Sequence, residues 1–286
     1  MTSSEADLST MTAAYFDRIG YTGPATPSLD TLTGLVAAHV RHIPFENLDP
    51  LTGTPVADLD RESLHDKLVA RRRGGFCYEH NGLFRHVLLD LGFAVDQLAG
   101  RVVWMKEPGP LPAETHQLLS VRVPGHDGSW LVDVGFGGQT PTAPLRFEIG
   151  TEQTTDLEPF RITHSDDGLF HVMESKVGGR WQPLYLFTER ARPPVDSVVG
   201  SWFASTNPSA PFPNALMVCL IVDDTRWNLN NRHLAVYHAD GTREKRELAS
   251  AAEVLDLLGS RFGIDLAGIE GIEERVAQVV GDLPGS

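Results

Sequence analysis

The spacing of apolar residues changes along the chain and divides it into three regions. Up to Gly92, apolar residues recur at intervals of three and four, which is typical of helices with one buried face. Residues 28–43 follow this pattern, and Asp60 is placed to cap a second helix. The pattern resumes at Cys77 and stops at Gly92, a residue type that often ends helices. We therefore predict a helical bundle over residues 1–92.

Beyond the bundle the period changes to two, as in strands with one buried face. Short segments of this kind alternate with turns rich in Pro, Gly and Asp, which predicts an antiparallel β-barrel over residues 93–190. A short helix and a proline-rich stretch form a connector over 191–213. Residues 214–286 contain strands, a hairpin turn at Asp240-Gly241 and two helices, which predicts an α/β lid. The predicted fold class is α+β.

Charge and composition restrict the classes of partner. The net charge is −14, which argues against nucleic acid or an anionic membrane as the main partner. No apolar run approaches the ~20 residues of a membrane helix, and the first ten residues lack the pattern of a secretory signal. The two cysteines, Cys77 and Cys219, are too few for a disulfide framework. We therefore expect a cytoplasmic protein.

Cys77 lies in the stretch RRRGGFCYEHNG, between a glycine pair and several titratable residues, where a helix is predicted to start. Unpaired N–H groups and peptide dipoles at a helix N-terminus favour an anion, and therefore a thiolate. The glycines let the backbone approach a substrate and leave the Cys77 N–H available for an oxyanion. A small packed residue at a helix start fits the same spacing. Cys219 lies in a continuous apolar run and is expected to be packed in a strand.

A nucleophilic cysteine needs a base and an acceptor that orients the base. His116 begins a predicted strand, and the next strand carries Asp133 among apolar residues, where a carboxylate needs hydrogen bonds. If the hairpin is centred on the Pro-Gly pair 124–125, His116 lies directly opposite Asp133. A hairpin centred on the Asp-Gly pair 127–128 would break this pairing. A hydrogen bond from Asp133 to the local backbone is the alternative role.

Four motifs in this order resemble those of the arylamine N-acetyltransferase family. They are HIPFENLD at residues 42–49, RRRGGFCYEHNGLF at 71–84, THQLL at 115–119 and VDVGFGG at 132–138. The similarity covers nearly the full length. It implies a helical bundle, a β-barrel and an α/β lid, with the reacting groups in a papain-like thiol-enzyme arrangement. It also implies ping-pong transfer of an acetyl group from acetyl-CoA to the nitrogen of arylamines, arylhydrazines or N-hydroxyarylamines.

The resemblance also assigns roles to individual residues. Cys77 would be the nucleophile, His116 the base and Asp133 the residue that orients the base. The acceptor pocket would be lined by Phe45, Phe136 and Phe212. CoA would contact Thr115, Gly135, Gly137 and Gly138. Flat apolar walls suit an aryl group, and consecutive glycine N–H groups could cradle a pyrophosphate. For the phenylalanines, the alternative is ordinary packing in the core. For the glycines, the alternative is a loop that follows a strand and binds no ligand.

Charged residues flank the nucleophile motif on both sides. Arg71, Arg72 and Arg73 could hold CoA phosphates, or they could lie solvated at a helix C-terminus. Glu46 and Asn47 are expected to fix the loop under the pocket.

Two other classes of function remain compatible with these residues. A papain-like or transglutaminase-type thiol hydrolase or acyltransferase uses the same three groups, and a hydrolase would turn over acetyl thioester without an arylamine. A non-enzymatic module that binds CoA or an aryl ligand would tolerate Cys77→Ala. We expect acetyl-CoA as a co-substrate and no permanently bound cofactor. We also expect no metal, because Cys77 and His80 form a conceivable pair of ligands but no second pair has that spacing. A monomer and a homodimer both remain possible.

Overall fold

The computed structural model describes residues 8–107 and 109–281, and its N-terminal region is mainly helical. The elements are α1 Thr10–Ile19, α2 Leu29–His42, β1 Phe45–Glu46, α3 Leu48–Leu51, α4 Arg61–His65 and α5 Cys77–Asp90. Ser9, Ser28 and Asp60 cap α1, α2 and α4 by accepting a hydrogen bond from a backbone N–H of the first turn. Residues 66–70 extend α4 as one π-helical turn, which the apolar spacing does not predict.

The central region is a seven-stranded antiparallel sheet that curls into a nearly closed barrel. Its strands are β2 Ala94–Val102, β3 His116–Arg122, β4 Trp130–Val132, β5 Leu145–Arg146, β6 Phe160–His164, β7 His171–Val177 and β8 Arg180–Phe187. They lie in the order β5–β4–β3–β2–β8–β7–β6. This order places β3, which begins with His116, in the interior of the sheet, between β2 and β4.

The hairpin between β3 and β4 carries two residues of the predicted site. Gly125 has a φ of +78°, as its place in the predicted turn requires. The strands nevertheless pair two residues away from the predicted register, with Leu119 opposite Val132. The prediction that His116 directly faces Asp133 is therefore wrong. The loop that joins β3 and β4 is longer than the two-residue turn assumed in the prediction, because the last paired residues are Val121 and Trp130. A shift of two residues keeps both side chains on the same face of the sheet, as diagonal neighbours.

The connector contains helix α6, Pro194–Thr206, whose buried residues are mostly serines. Ser201 Oγ donates to Val56 O at 2.7 Å, and Ser205 Oγ accepts from the Val56 N–H at 3.0 Å. Large apolar side chains face outward on this helix, and Trp202 is 55% exposed. Two hydrogen bonds to Val56 therefore attach α6 to the N-terminal region, together with the packing of Ala204 in a small buried cluster.

A second, five-stranded sheet links the N-terminal and C-terminal regions. Its C-terminal strands are β9 Met217–Val222, β10 Thr225–Asn230, β11 His233–His238 and β12 Arg243–Glu247, and the order is β1–β9–β10–β11–β12. Helices α7 Ala251–Ser260 and α8 Ile272–Val280 pack in the same hydrophobic cluster as this sheet. Phe45 of β1 pairs with Cys219 of β9. One predicted pocket residue is therefore hydrogen-bonded into the C-terminal region.

Helices α1, α2 and α5 share one hydrophobic core with strands β2, β3 and β4. From α5 this core includes Phe84 and Leu88, and from β3 it includes Leu119 and Val121. Because α5 lies against β3, the helix that begins with Cys77 is held beside the strand of His116. In the two described ranges of the chain, no helix has both the length and the apolar character needed to cross a membrane.

Candidate active site

Cys77 is the first residue of α5 and follows a bend that requires glycine. A Cβ on Gly74 would overlap the Pro44 carbonyl oxygen, and a Cβ on Gly75 would lie 2.5 Å from the Glu79 carboxylate. Cys77 itself is 3% exposed. Within the described residues, its backbone N–H has no hydrogen-bond partner. This N–H is therefore free to donate to an oxyanion.

His116 and Asp133 form a buried pair next to Cys77. His116 Nε2 lies 2.7 Å from Asp133 Oδ2. Because Nε2 is occupied by Asp133, Nδ1 is the ring nitrogen left for the neighbouring Cys77. Burial alone would lower the pKa of His116, but the Asp133 carboxylate and Cys77 outweigh burial and raise this pKa to about 10. The imidazole is therefore protonated at neutral pH, the state that pairs with a thiolate.

Asp133 is held by a residue that the sequence analysis does not identify. Asn81 Nδ2 and the Gly135 N–H each donate to Asp133 Oδ1 at 3.1 Å. Burial raises the pKa of Asp133, but His116 and these two donors bring it below its ordinary value. Asn81 lies four residues after Cys77, on the same face of α5. A search for polar residues at that helical spacing could have found it.

Tyr185 of β8 is also part of this site, and it reaches His116 across strand β2. The two rings lie 4.8 Å apart, measured between centroids. Gly100 of β2 lies between them, and a Cβ there would lie 3.3 Å from Tyr185 and 3.4 Å from His116. Burial first, and then the charge of Asp133, raises the pKa of Tyr185 well above its ordinary value. Its hydroxyl therefore stays protonated beside the pair.

The three predicted pocket phenylalanines lie beside the candidate catalytic residues. Phe45 and Phe212 have ring centroids 6.0 Å apart, and both pack on the cluster that contains Cys77. The Phe136 ring lies perpendicular to the His116 ring at 5.3 Å. All three phenylalanines are only partly buried. The structure therefore places two of these partly exposed rings on the cluster of the buried thiol and the third ring on the imidazole of His116.

The four residues predicted to contact CoA differ in the groups they can offer. The Gly135 N–H donates to the carboxylate of the buried pair, and the Gly137 N–H donates to Thr140 Oγ1 at 2.7 Å. Two of the three glycine amides are therefore already used inside the loop. The Gly138 N–H has no partner within residues 8–107 and 109–281. The Thr115 carbonyl oxygen lies 3.7 Å from the candidate nucleophilic sulfur.

A buried charge cluster holds the loop under the pocket. Arg73 Nε donates to Glu46 Oε1 at 2.8 Å, and Arg73 Nη2 donates to Asp49 Oδ1 at 2.8 Å. Asn47 Nδ2 donates to the Phe212 carbonyl oxygen at 2.8 Å. Glu46 and Asn47 thus fix this loop, as expected, and Asn47 also ties it to one of the aromatic rings.

The three consecutive arginines have different surroundings. Arg73 is buried against carboxylates, so it is neither solvated nor free to bind a phosphate, and both expectations are wrong for this residue. Arg71 is exposed and pairs with Asp66 at 2.8 Å. Arg72 is exposed and has a φ of +52°. Two arginines of the cluster therefore remain at the surface.

Comparisons with known proteins agree on one family. The model of the N-acetyltransferase family matches residues 28–271. A curated arylamine N-acetyltransferase from Mycolicibacterium smegmatis is 55% identical over 270 residues, which cover 93% of this chain and 97% of the relative. The chain belongs to the arylamine N-acetyltransferase family. The family predicted from the four motifs is therefore confirmed.

Solved structures of arylamine N-acetyltransferases share this fold. The enzyme from Mycobacterium marinum has a TM-score of 0.91 and 52% identity, covering 94% of this chain and 99% of that structure. The same enzyme in complex with CoA has a TM-score of 0.90 and 53% identity, covering 93% and 98%. The predicted α+β fold class is therefore confirmed.

Proposed function

We propose that this chain transfers an acetyl group from acetyl-CoA to the nitrogen of an arylamine, arylhydrazine or N-hydroxyarylamine. The observation that carries the proposal is the buried set of Cys77, His116 and Asp133 beside three partly exposed phenylalanines. Family membership supports it, because a relative that is 55% identical is named an arylamine N-acetyltransferase and a solved structure of the family contains CoA.

In the first half-reaction, the Cys77 sulfur attacks the carbonyl carbon of the acetyl group. His116 as imidazolium stabilises the thiolate, and Asp133 holds the ring through Nε2–H. The Cys77 N–H donates to the carbonyl oxygen as it becomes negative. The bond between the acetyl carbon and the CoA sulfur then breaks. That sulfur takes the proton from His116 Nδ1, which leaves a thioester on Cys77 and a neutral imidazole.

In the second half-reaction, the acceptor nitrogen attacks the thioester carbon. Neutral His116 takes a proton from that nitrogen, the bond to the Cys77 sulfur breaks, and the thiolate–imidazolium pair forms again. Phe45, Phe136 and Phe212 hold the aryl ring in this step. CoA approaches along Thr115, Gly135, Gly137 and Gly138, where the free N–H of Gly138 is the available glycine donor.

Intact-mass measurement after mixing the protein with acetyl-CoA alone tests this route. We expect a gain of one acetyl group, which an arylhydrazine then removes. The two cysteines provide a matched control: Cys77→Ala should abolish the adduct and Cys219→Ala should retain it. Burial raises the pKa of Cys219 to about 12, so this thiol is a poor nucleophile at neutral pH. No adduct on the wild type, or an adduct on Cys77→Ala, would contradict the proposal.

The same measurement separates the two alternative functions. A thiol hydrolase would release acetate at its full rate without an amine, so the thioester would not accumulate. A non-enzymatic binding module would form no adduct. A thioester that persists until an arylamine is added excludes both.

A further inference from the structure

A chain of buried hydrogen bonds crosses the helical bundle and ends beside the nucleophile loop. The Tyr15 hydroxyl lies 2.8 Å from His39 Nδ1, and His39 Nε2 lies 2.8 Å from His80 Nδ1. His80 Nε2 lies 3.1 Å from the Pro44 carbonyl oxygen. The side chains come from α1, α2 and α5, and none is more than 1% exposed. Neither half-reaction uses these three residues, which we call the buried relay.

Only one arrangement of protons satisfies every bond of the relay. The Pro44 carbonyl can only accept, so His80 must carry its proton on Nε2. His80 Nδ1 is then an acceptor, which requires the proton of His39 to lie on Nε2. His39 Nδ1 in turn accepts from the Tyr15 hydroxyl. Burial lowers the pKa of both imidazoles, that of His80 to about 4, so both rings are neutral at neutral pH and this direction is fixed.

The relay ends at a point where the backbone is tightly packed. The Pro44 carbonyl also accepts from the Gly75 N–H, but at 3.4 Å, so His80 makes the shorter hydrogen bond. A Cβ on Gly74 would overlap the same oxygen. Pro44 is followed by Phe45, whose ring is within 13° of parallel to the His80 ring, with centroids 6.3 Å apart. Movement of this carbonyl would therefore move the Phe45 ring.

His80 is also fixed relative to Cys77. It lies three residues later, in the first turn of α5. A Cβ on Gly135 would lie 2.9 Å from both the Cys77 Cα and the His80 Cβ, so the two residues face the same closely packed backbone. His80 therefore connects a helix that carries the nucleophile to a segment that carries an aromatic wall.

We propose that the buried relay is a positioning device for the acceptor half-reaction. It holds the Pro44 carbonyl, and with it the Phe45 ring, at a fixed place relative to Cys77. His80 is a positioning residue, because its hydrogen bonds go to His39 and Pro44 and not to the reacting groups. This inference rests on the proposed function, in which Phe45 lines the acceptor pocket. It assigns the relay to recognition of the aryl acceptor and not to acetyl-CoA.

Two substitutions of His80 separate positioning from general stability. His80→Phe keeps an aromatic ring and removes the donor to Pro44, whereas His80→Gln retains a donor near the place of Nε2. We expect His80→Phe to raise KM for an arylamine about tenfold, as for a lost apolar contact in a pocket. His80→Gln should recover most of that loss. The single-turnover rate of Cys77 acetylation by acetyl-CoA alone should change by less than about twofold in both variants.

The far end of the relay gives a milder test. Tyr15→Phe removes only the hydroxyl that fixes the His39 proton, and it should raise KM for the arylamine several-fold. Tyr21→Phe is the matched control, because the Tyr21 hydroxyl donates to Pro24 O at 3.0 Å at the surface, outside the relay. In the wild type, ¹⁵N chemical shifts should identify both His39 and His80 as the Nε2–H tautomer.

The outcomes separate this inference from the proposed function. If His80→Phe and Tyr15→Phe lower Tm and leave KM for the arylamine unchanged, the relay is only structural and the inference is overturned. An equal loss in Cys77 acetylation also overturns it, since the effect would then lie on the nucleophile. A wild-type protein that forms no acetyl adduct removes the proposed function and the inference together.

Discussion

Asp133→Asn should disable the site by moving a single proton. Asp133 Oδ1 accepts from both Asn81 Nδ2 and the Gly135 N–H, each at 3.1 Å. An asparagine must keep its oxygen there, because an NH₂ group would face two donors. Its NH₂ group then points at His116 Nε2, which has to become an acceptor. The imidazole proton moves to Nδ1, the atom that faces Cys77, so His116 can no longer accept the thiol proton.

The size of the effect follows from the charge around the imidazole. The pKa of His116 rises from its ordinary 6.5 to about 10 although burial acts in the opposite direction, and Asp133 is the largest favourable cause. At ~1.36 kcal/mol per pKa unit, this surrounding favours the imidazolium by roughly 5 kcal/mol. Replacing the carboxylate should therefore slow Cys77 acetylation by about 10³- to 10⁴-fold.

Single-turnover acetylation followed by intact mass measures this rate directly. Asp96→Asn is the matched control, because Asp96 lies in the same sheet but forms an exposed pair with Arg122 at 2.7 Å. The control should keep the wild-type rate, and both variants should keep the wild-type far-ultraviolet circular dichroism. If Asp133→Asn retained more than about a tenth of the wild-type rate, the carboxylate would not determine the tautomer and this reasoning would be refuted.

Three further substitutions test the loop, the pocket and the charged pair. Arg73→Ala should lower the free energy of unfolding by about 3–5 kcal/mol, because it leaves the buried Glu46 carboxylate without its ion-pair partner. In the same urea titration, Arg71→Ala should change the free energy of unfolding by less than about 1 kcal/mol, because its ion pair is exposed. Equal effects of the two substitutions would contradict a structural role for the buried arginine. Gly137→Ala should raise KM for the acceptor, because Gly137 has a φ of +86° and its Cβ would lie 3.3 Å from a pocket phenylalanine ring. Gly138→Ala should leave that KM unchanged, since its Cβ would meet the end of a flexible side chain. His116 binds its proton more tightly in the folded state, so its stabilising contribution is complete below about pH 6.5 and is lost as the pH rises through about 10. The free energies of unfolding of wild type and His116→Gln, measured by urea titration, should therefore differ less at alkaline than at neutral pH. A difference that grew with pH would contradict a raised pKa of His116 in the folded state.

The nucleophile could be predicted from sequence because its geometry depends on a few neighbouring residues. Gly74 and Gly75 form the bend, and the apolar spacing after Cys77 defines the helix. The same-face relation of His116 and Asp133 could also be predicted, since strand period survives a register error of two residues. The motifs then identified the family, and the predicted enzyme class is confirmed with it.

Contacts between residues far apart in the chain could not be predicted in this way. Tyr185 reaches His116 because Gly100 leaves space on the strand between them. A contact across an intervening strand cannot be predicted from the spacing of neighbouring residues. In the sequence, Arg73 is the last of three consecutive arginines. Its ion pair with Glu46, which lies 27 positions earlier, is visible only in the structure. The two-residue strand β1 is too short to show a period, so its pairing with β9 also had to come from the structure.

Helix α6 has its hydroxyl groups inside and its large apolar groups in water, and this reversal affects how it can detach. The large apolar side chains of α6 are already exposed, and detachment would newly expose only the small cluster around Ala204, so its heat-capacity change and its dependence on urea should both be small compared with those of the main core. Amide hydrogen exchange in α6 should thus be nearly insensitive to urea concentrations that accelerate exchange in α2 and α5. Because a side chain at Gly200 would overlap the Tyr78 hydroxyl, α6 rests directly on the neighbour of Cys77. Transient loss of this helix would open the small cluster that contains Ala204, Tyr78 and Cys77 and would leave the larger core of α1, α2 and α5 closed.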